Sequence, residues 1–220
     1  QPKSDIVFNF SEAKKVIKSI EFPIVIRPSY VLGGRAMRII NNFEELNNYF
    51  NSNFIINNKS ILIDEFLVGA KEIDVDAISD GKDIFISGIL EHIEEAGVHS
   101  GDSACSLPAQ TLSAKIIDEI KRITKLISRT LNIIGFINIQ YAIKDDKVYV
   151  IEVNPRASRT VPFISKSRGI PLAKLATKVM LGKKIKSFNL NQNNKNYVTV
   201  KESVFPFDRF PGEDIILGPE

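Results

Sequence analysis

Apolar and polar positions alternate in two different rhythms along this chain, and the change comes near residue 70. Early on, residues 11–20 (SEAKKVIKSI) open with a serine and a nearby glutamate and then space their apolar side chains as a helix does. Ile24-Val25-Ile26 reads as a buried strand running into Arg27-Pro28, where proline is expected to end the ladder. Residues 29–34 read as a loop, residues 36–40 as a second short strand, and Asn42 as the cap of a helix over FEELNNYF. Ile61–Glu65 (ILIDE) is a third strand. These elements predict a small α+β lobe.

From Glu72 the period becomes two. EIDVDAI alternates strictly, Asp80-Gly81 marks a hairpin, and DIFISGILEHI returns as a strand. A polar loop containing glycine covers residues 94–106. Residues 113–131 then place Ile116, Ile120, Ile123, Ile127 and Leu131 on one helical stripe. FINIQYAIK and KVYVIEV flank Asp145-Asp146 as an antiparallel hairpin, and PLAKLATKVMLGK is a last helix with Pro171 in its first turn. The division expected is a small lobe over residues 1–68, a larger lobe with an antiparallel sheet and packed helices over 69–186, and a connector and strand over 187–220. Both ends read as cut, so the chain is expected to be a piece of something longer.

Composition narrows the function classes. The 220 residues carry 29 Lys and Arg against 26 Asp and Glu, a net charge of +3, too small to imply nucleic acid. No apolar run approaches a membrane span and no signal-peptide pattern opens the chain. One cysteine, Cys105, excludes an internal disulfide framework and points to a reducing cytoplasm. The motifs GxxxxGK[ST], GxGxxG and HExxH do not occur, and His92 and His99 lack partners for a zinc site.

The candidate chemistry lies on the second hairpin and just after it, in IEVNPRASRT (residues 151–160). Glu152 and Asn154 are two apart and leave one face of a strand. Gln140 joins them if the hairpin loop has an odd number of residues, for instance 145–147, because pairing then matches parity. The alternative is a solvent-facing polar patch on a hairpin, which buried-strand neighbours such as Ile151 and Val153 make less natural. Three oxygen donors without thiol or imidazole suit a hard cation, and an incomplete cage suits magnesium that also holds phosphate oxygens. Arg156 and Arg159 follow at once, and guanidinium is the planar paired donor that phosphate recognition uses. The combination reads as a phosphoryl-transfer centre. A second basic point is Arg27, followed by a loop with Gly33-Gly34 whose amides can approach phosphate.

Taken in order, Arg-Pro-Ser, a Gly-Gly loop, LIDEFL, a glutamine on a strand and E-x-N-P-R-x-S-R resemble the ATP-grasp fold. RPSYVLGGRAM, EHIEEAGVHSGDSACSLPAQTL, VNPRASRTVPFISK and FPGEDIILGPE are similar to the large chain of carbamoyl phosphate synthetase, across nearly the whole sequence. GVHSGDSACSLP and ASRTVPF resemble the second, carbamate-phosphorylating half of that chain more than the bicarbonate-phosphorylating first half. The resemblance implies an ATP-dependent ligase domain converting carbamate and ATP to carbamoyl phosphate and ADP, for arginine and pyrimidine synthesis. It makes Gln140 and Glu152 ligands of magnesium or manganese, with Asn154 beside the second metal. Arg27, Arg156 and Arg159 would meet phosphates or the carbamate-derived group. Glu65 and Leu67 would stand beside adenine and ribose, Glu72 would take the ribose hydroxyls, and Gly97, Val98, His99 and Ser100 would line the nucleotide pocket. Potassium is implied as well, near Glu72, His92, Glu94, Val98 and Ser103.

The implied partners are the rest of the large chain and a glutamine-hydrolysing small chain, whose Cys–His site has no counterpart here. The family's upstream helix and strand are expected to be missing, so the small lobe would be truncated and these residues alone inactive. Two rival readings are another ATP-grasp ligase, such as a biotin-dependent carboxylase, and a module that binds nucleotide or a partner without catalysis. The long SYVLGGRAM and VHSGDSACSLP matches weigh against the first.

Overall fold

The computed structural model describes residues 1–29, 37–51, 60–98, 101–190 and 196–204. The chain divides into two compact units, one reaching Val68 and the other starting at Gly69. Both are built on antiparallel sheets, as the α+β expectation required.

Among the described residues the first unit has four strands, in the order β1-β4-β2-β3: β1 Ser4–Val7, β2 Ile24–Pro28, β3 Arg38–Ile40 and β4 Ile61–Glu65. Helices α1 (Phe10–Val16) and α2 (Phe43–Asn51) supply Ala13, Val16, Leu46 and Tyr49 to a core completed by Val7, Ile24, Ile26, Ile61 and Ile63. Asn42 caps α2 through Glu45 N, at 2.9 Å. Helix α1 departs from expectation: it stops at Val16, and its cap is Asn9 rather than Ser11. Asn9 Oδ1 accepts from Glu12 N at 3.0 Å while Glu12 accepts from Phe8 N at 2.8 Å, a capping arrangement shifted two residues upstream. Pro28 ends the ladder as expected: it is the last residue of β2 and pairs with Ile61, where a missing N–H costs least.

Among the described residues the second unit has six strands, in the order β10-β7-β6-β5-β8-β9. These are β5 Lys71–Asp80, β6 Ile84–His92, β7 Cys105–Leu107, β8 Ile134–Lys144, β9 Lys147–Asn154 and β10 Thr199–Lys201. The Asp80-Gly81 turn closes as expected, with Asp80 Oδ1 accepting from Lys82 N and Asp83 N at 3.0 and 2.8 Å and Gly81 at φ +86°. Helix α3 (Ala114–Thr130) packs Ile116 and Ile120 against Ile73, Val75, Ala77, Ile137, Ile139 and Tyr141. Helices α4 (Val161–Arg168) and α5 (Leu172–Met180) pack Val161, Ile164, Leu172 and Val179 with Ile78, Phe85 and Leu90. The alternation in β5 therefore does not separate core from solvent. Both faces are covered from Ile73 onward, and the polar set Glu72, Asp74, Asp76 shares its face with Ile78, which packs with α4 and α5. The stripe of α3 also needs correction: Leu131 lies past the helix and is exposed, and Thr124 and Ser128 fill the seam behind Ile120.

The second hairpin carries the most consequential departure. Its loop is two residues, Asp145 and Asp146, both at positive φ (50° and 56°), as a tight primed turn requires. An even loop sets Lys144 against Lys147 and Tyr141 against Val150, which alone would place Ile151 opposite Gln140. The register slips between Gln140 and Tyr141, so Gln140 faces Glu152 instead. Ile151 is the extra residue of this bulge. It is exposed, not the buried neighbour expected of it, because β9 is an edge strand.

Candidate functional site

Two rows of side chains cross the centre of the second sheet on one face. Antiparallel pairing aligns Asp74, Gln140 and Glu152 in one row, and Asp76, Asn138 and Asn154 in the next. The rows run from a buried end to an open edge. Asp74, Asp76, Asn138 and His92 are buried, Gln140 and Asn154 half-buried, and Glu152 exposed. The three oxygen donors read from the sequence are thus brought together, through a route the loop parity did not provide.

The buried end is a hydrogen-bond network, which leaves His92 Nδ1 without a hydrogen-bond partner among the described residues. Asn138 Nδ2 donates to Asp74 Oδ1 at 3.1 Å and to Asp76 Oδ1 at 3.2 Å, and Asn138 Oδ1 accepts from Asn154 Nδ2 at 3.5 Å. His92 Nε2 lies 3.0 Å from Asp74 Oδ2. Asp76 Oδ2 accepts from Ser158 Oγ at 2.8 Å and from Thr160 Oγ1. Burial pushes the Asp76 carboxyl up to about 6, against the pull of the Thr160 and Ser158 hydroxyls. Burial alone would lower the His92 imidazole. The Asp74 carboxylate and the neighbouring Cys105 sulfur overcome it and raise the ring to about 10.

Arg156 and Arg159 follow Asn154 on the segment leading to α4, and both are exposed. Arg156 N donates to Asn154 O at 2.8 Å, turning the chain at the end of β9. On the other side of the row, Glu72 Oε2 accepts from Gly97 N at 3.1 Å, and Val98 beside it is buried. Glu94 Oε2 accepts from Ser103 Oγ at 2.6 Å and from Ala104 N at 2.7 Å. His99 and Ser100, and the paired glycines at 33–34, lie outside the described residues. In the first unit Arg27 is exposed and its Nε stands 3.4 Å from Asp64. Glu65 ends β4, and Leu67 is buried two residues on.

Asp74, Asp76 and Asn138 escaped the sequence reading. The signal available was EIDVDAI itself: acidic residues alternating within a strand long enough to lie at the middle of a sheet. Among the described residues no group of three or more His, Cys, Asp or Glu side chains gathers to hold a metal. The donors at β8 and β9 are one carboxylate and two amides, all oxygen. That set fits a hard divalent cation that draws its remaining ligands from phosphate oxygens and water. Beside it, two guanidiniums supply positive charge for a polyanion.

This architecture defines an ATP-grasp protein. The chain resembles the biotin carboxylase domain of Hydrogenobacter thermophilus 2-oxoglutarate carboxylase, solved with MgADP, ADP and bicarbonate, with a TM-score of 0.73 and 17% identity over 91% of this chain and 46% of that one. It also resembles a biotin carboxylase from Campylobacter jejuni, with a TM-score of 0.71 and 17% identity over 84% of this chain and 43% of that one. At such identities the likeness is one of fold. Sequence gives the narrower relation. The family described as "Carbamoyl-phosphate synthase L chain, ATP binding domain" matches residues 2–188, and the chain belongs to it. The carbamoyl phosphate synthase large chain of Archaeoglobus fulgidus is 53% identical over all of this chain, which spans 21% of that protein. The C-terminal section of the Methanocaldococcus jannaschii large chain is 50% identical, again over all of this chain and 38% of the relative. Among the described residues no helix is long and apolar enough to cross a membrane.

Proposed function

We propose that this chain is the carbamate-phosphorylating ATP-grasp domain of a carbamoyl phosphate synthase large chain. A carbamate oxygen forms a bond to the γ-phosphorus of ATP, the bond from that phosphorus to the β–γ bridging oxygen breaks, and carbamoyl phosphate and ADP result. The observation that carries the reading is the row in which Gln140 directly faces Glu152, with Asn154 in the next row and two arginines just beyond. The full-chain match to a relative described as a C-terminal section supports the second half over the first.

Gln140, Glu152 and Asn154 are the residues that would hold magnesium, or manganese in its place. Bound there, the metal would neutralise phosphate charge and fix the transferring group. Arg156 and Arg159 spread positive charge over the phosphoryl oxygens as the bond order shifts, which is most of what a protein contributes to this chemistry. Arg27 meets phosphates or the carbamate-derived group, and Glu65 and Leu67 stand beside adenine and ribose. Glu72 takes the ribose hydroxyls, and Gly97, Val98, His99 and Ser100 line the nucleotide. Potassium belongs near Glu72, His92, Glu94, Val98 and Ser103. The setting is cytoplasmic, the pathways are those of arginine and pyrimidines, and the partners are the rest of the large chain and a glutamine-hydrolysing small chain. These residues alone bind nucleotide weakly at best and do not turn over.

The test uses the intact large chain with its small chain. In Glu152→Ala, ATP synthesis from ADP and carbamoyl phosphate is lost while bicarbonate-dependent ATPase largely survives. Survival of both activities would remove Glu152 from the reaction.

A further inference from the structure

Asp76 sits in the second sheet with no exposed surface, flanked along β5 by Val75 and Ala77. A carboxylate there is costly unless its oxygens are fully hydrogen bonded, and folding alone would be served as well by an apolar side chain. Its partners show where the charge acts. Two of the three, Ser158 and Thr160, lie on the segment 155–160 that carries Arg156 and Arg159. The third, Asn138, is also the acceptor for Asn154 Nδ2. One buried carboxylate thus grips both the end of β9 and the arginine segment that follows.

A second observation points the same way. Thr160 occupies the N-cap position of α4, where a threonine hydroxyl ordinarily bonds a backbone N–H of the first turn. It makes no such bond. Its hydroxyl goes instead to Asp76, and the Thr160 amide is taken by Ser158 Oγ at 3.1 Å. The helix start gives up its cap to the anchor. Arg156 and Arg159 are exposed, while Ser158 and Thr160 between and beside them carry the bonds from this segment to Asp76.

We infer that Asp76 is a positioning residue that holds the arginine segment 155–160 and the Asn154 end of β9 in a single arrangement. It touches neither nucleotide nor carbamate, and it acts through Ser158, Thr160 and Asn138. The kinetic consequence rests on the proposed carbamate reaction, whereas the mechanical one does not.

The experiment uses the intact large chain with its small chain, in four variants: Asp76→Asn, Thr160→Val, Thr160→Ser and Arg159→Ala. Hydrogen exchange is followed by mass spectrometry on peptides spanning 154–161. Exchange there should quicken by about tenfold in Asp76→Asn and Thr160→Val, with β5 and β8 unchanged, and Thr160→Ser should match the wild type. For ATP synthesis from ADP and carbamoyl phosphate, kcat should fall by about 10² in the same two variants while KM for ADP stays within about twofold. Unchanged exchange at 154–161 in both would overturn the inference, and so would equal quickening across the whole sheet. If Arg159→Ala abolishes the reaction while Asp76→Asn and Thr160→Val leave rate and exchange intact, the anchor fails and the proposed function stands. If the wild type lacks the reaction, the proposed function fails and exchange alone decides the anchor.

Discussion

Gln140 faces Glu152 directly across β8 and β9, and it does so because Ile151 is a surplus residue in the edge strand. The two side chains would act on one phosphate-bound cation. Their effects should therefore overlap: with Gln140→Ala and Glu152→Ala each lowering kcat for ATP synthesis from carbamoyl phosphate, the double variant should fall far short of the product of the two losses. Steady-state kinetics on the four forms of the intact large chain measures this, and multiplicative losses would mean that the pair does not work as a unit.

Asp76 gives the fold a defined pH response. Its folded pKa of about 6 lies above the ordinary carboxylate value of 3.8, so the folded state holds the proton more tightly than the unfolded chain. The resulting stability is fully present below pH 3.8 and disappears as pH rises through 6. It amounts to about 3 kcal/mol at most, at roughly 1.4 kcal/mol for each tenfold gain in proton affinity. Urea unfolding of wild type and Asp76→Asn at pH 4, 5, 6 and 7 should show a decline in the wild type that the asparagine variant lacks. Parallel curves would contradict the raised pKa.

His92 behaves oppositely to an ordinary surface histidine. With Asp74 3.0 Å away and its ring raised to about 10, it should stay protonated across the neutral range. The stability this contributes is complete below 6.5 and is lost as pH climbs through 10. Its imidazole carbon protons should show no NMR titration between pH 5.5 and 8.5, and a midpoint near 6.5 would refute the Asp74 pairing.

Gly88 is fixed by packing rather than by backbone angle. It pairs with Asp76 under α4, and a Cβ built there would stand 2.9 Å from Ile164 Cδ1 and 3.2 Å from two further Ile164 carbons. Gly88→Ala should cost about 1–3 kcal/mol by urea unfolding, because the fully buried Ile164 side chain must shift within the core to admit the methyl group. Adding Ile164→Val should recover part of that loss.

Much of this protein was legible without coordinates. Strand and helix periods, the Asn42 cap, the Asp80-Gly81 turn and the Glu152-x-Asn154 spacing are local properties, set by which side chains share a face within a few residues. The family relation rested on the same local strings, such as GVHSGDSACSLP and NPRASRT. Other features required tertiary structure because they depend on groups far apart in the chain. Whether Gln140 meets Glu152 is decided by a bulge whose single extra residue reverses the parity of a two-residue turn. Whether Asp76 is solvated or buried depends on Ser158 and Thr160 at the start of α4, more than eighty residues further along the chain, which meet it on the face that alternation alone would assign to water. A period of two says that side chains take opposite faces. Only packing says what each face meets, and here it placed the Asp76 carboxylate beneath the segment carrying the arginines.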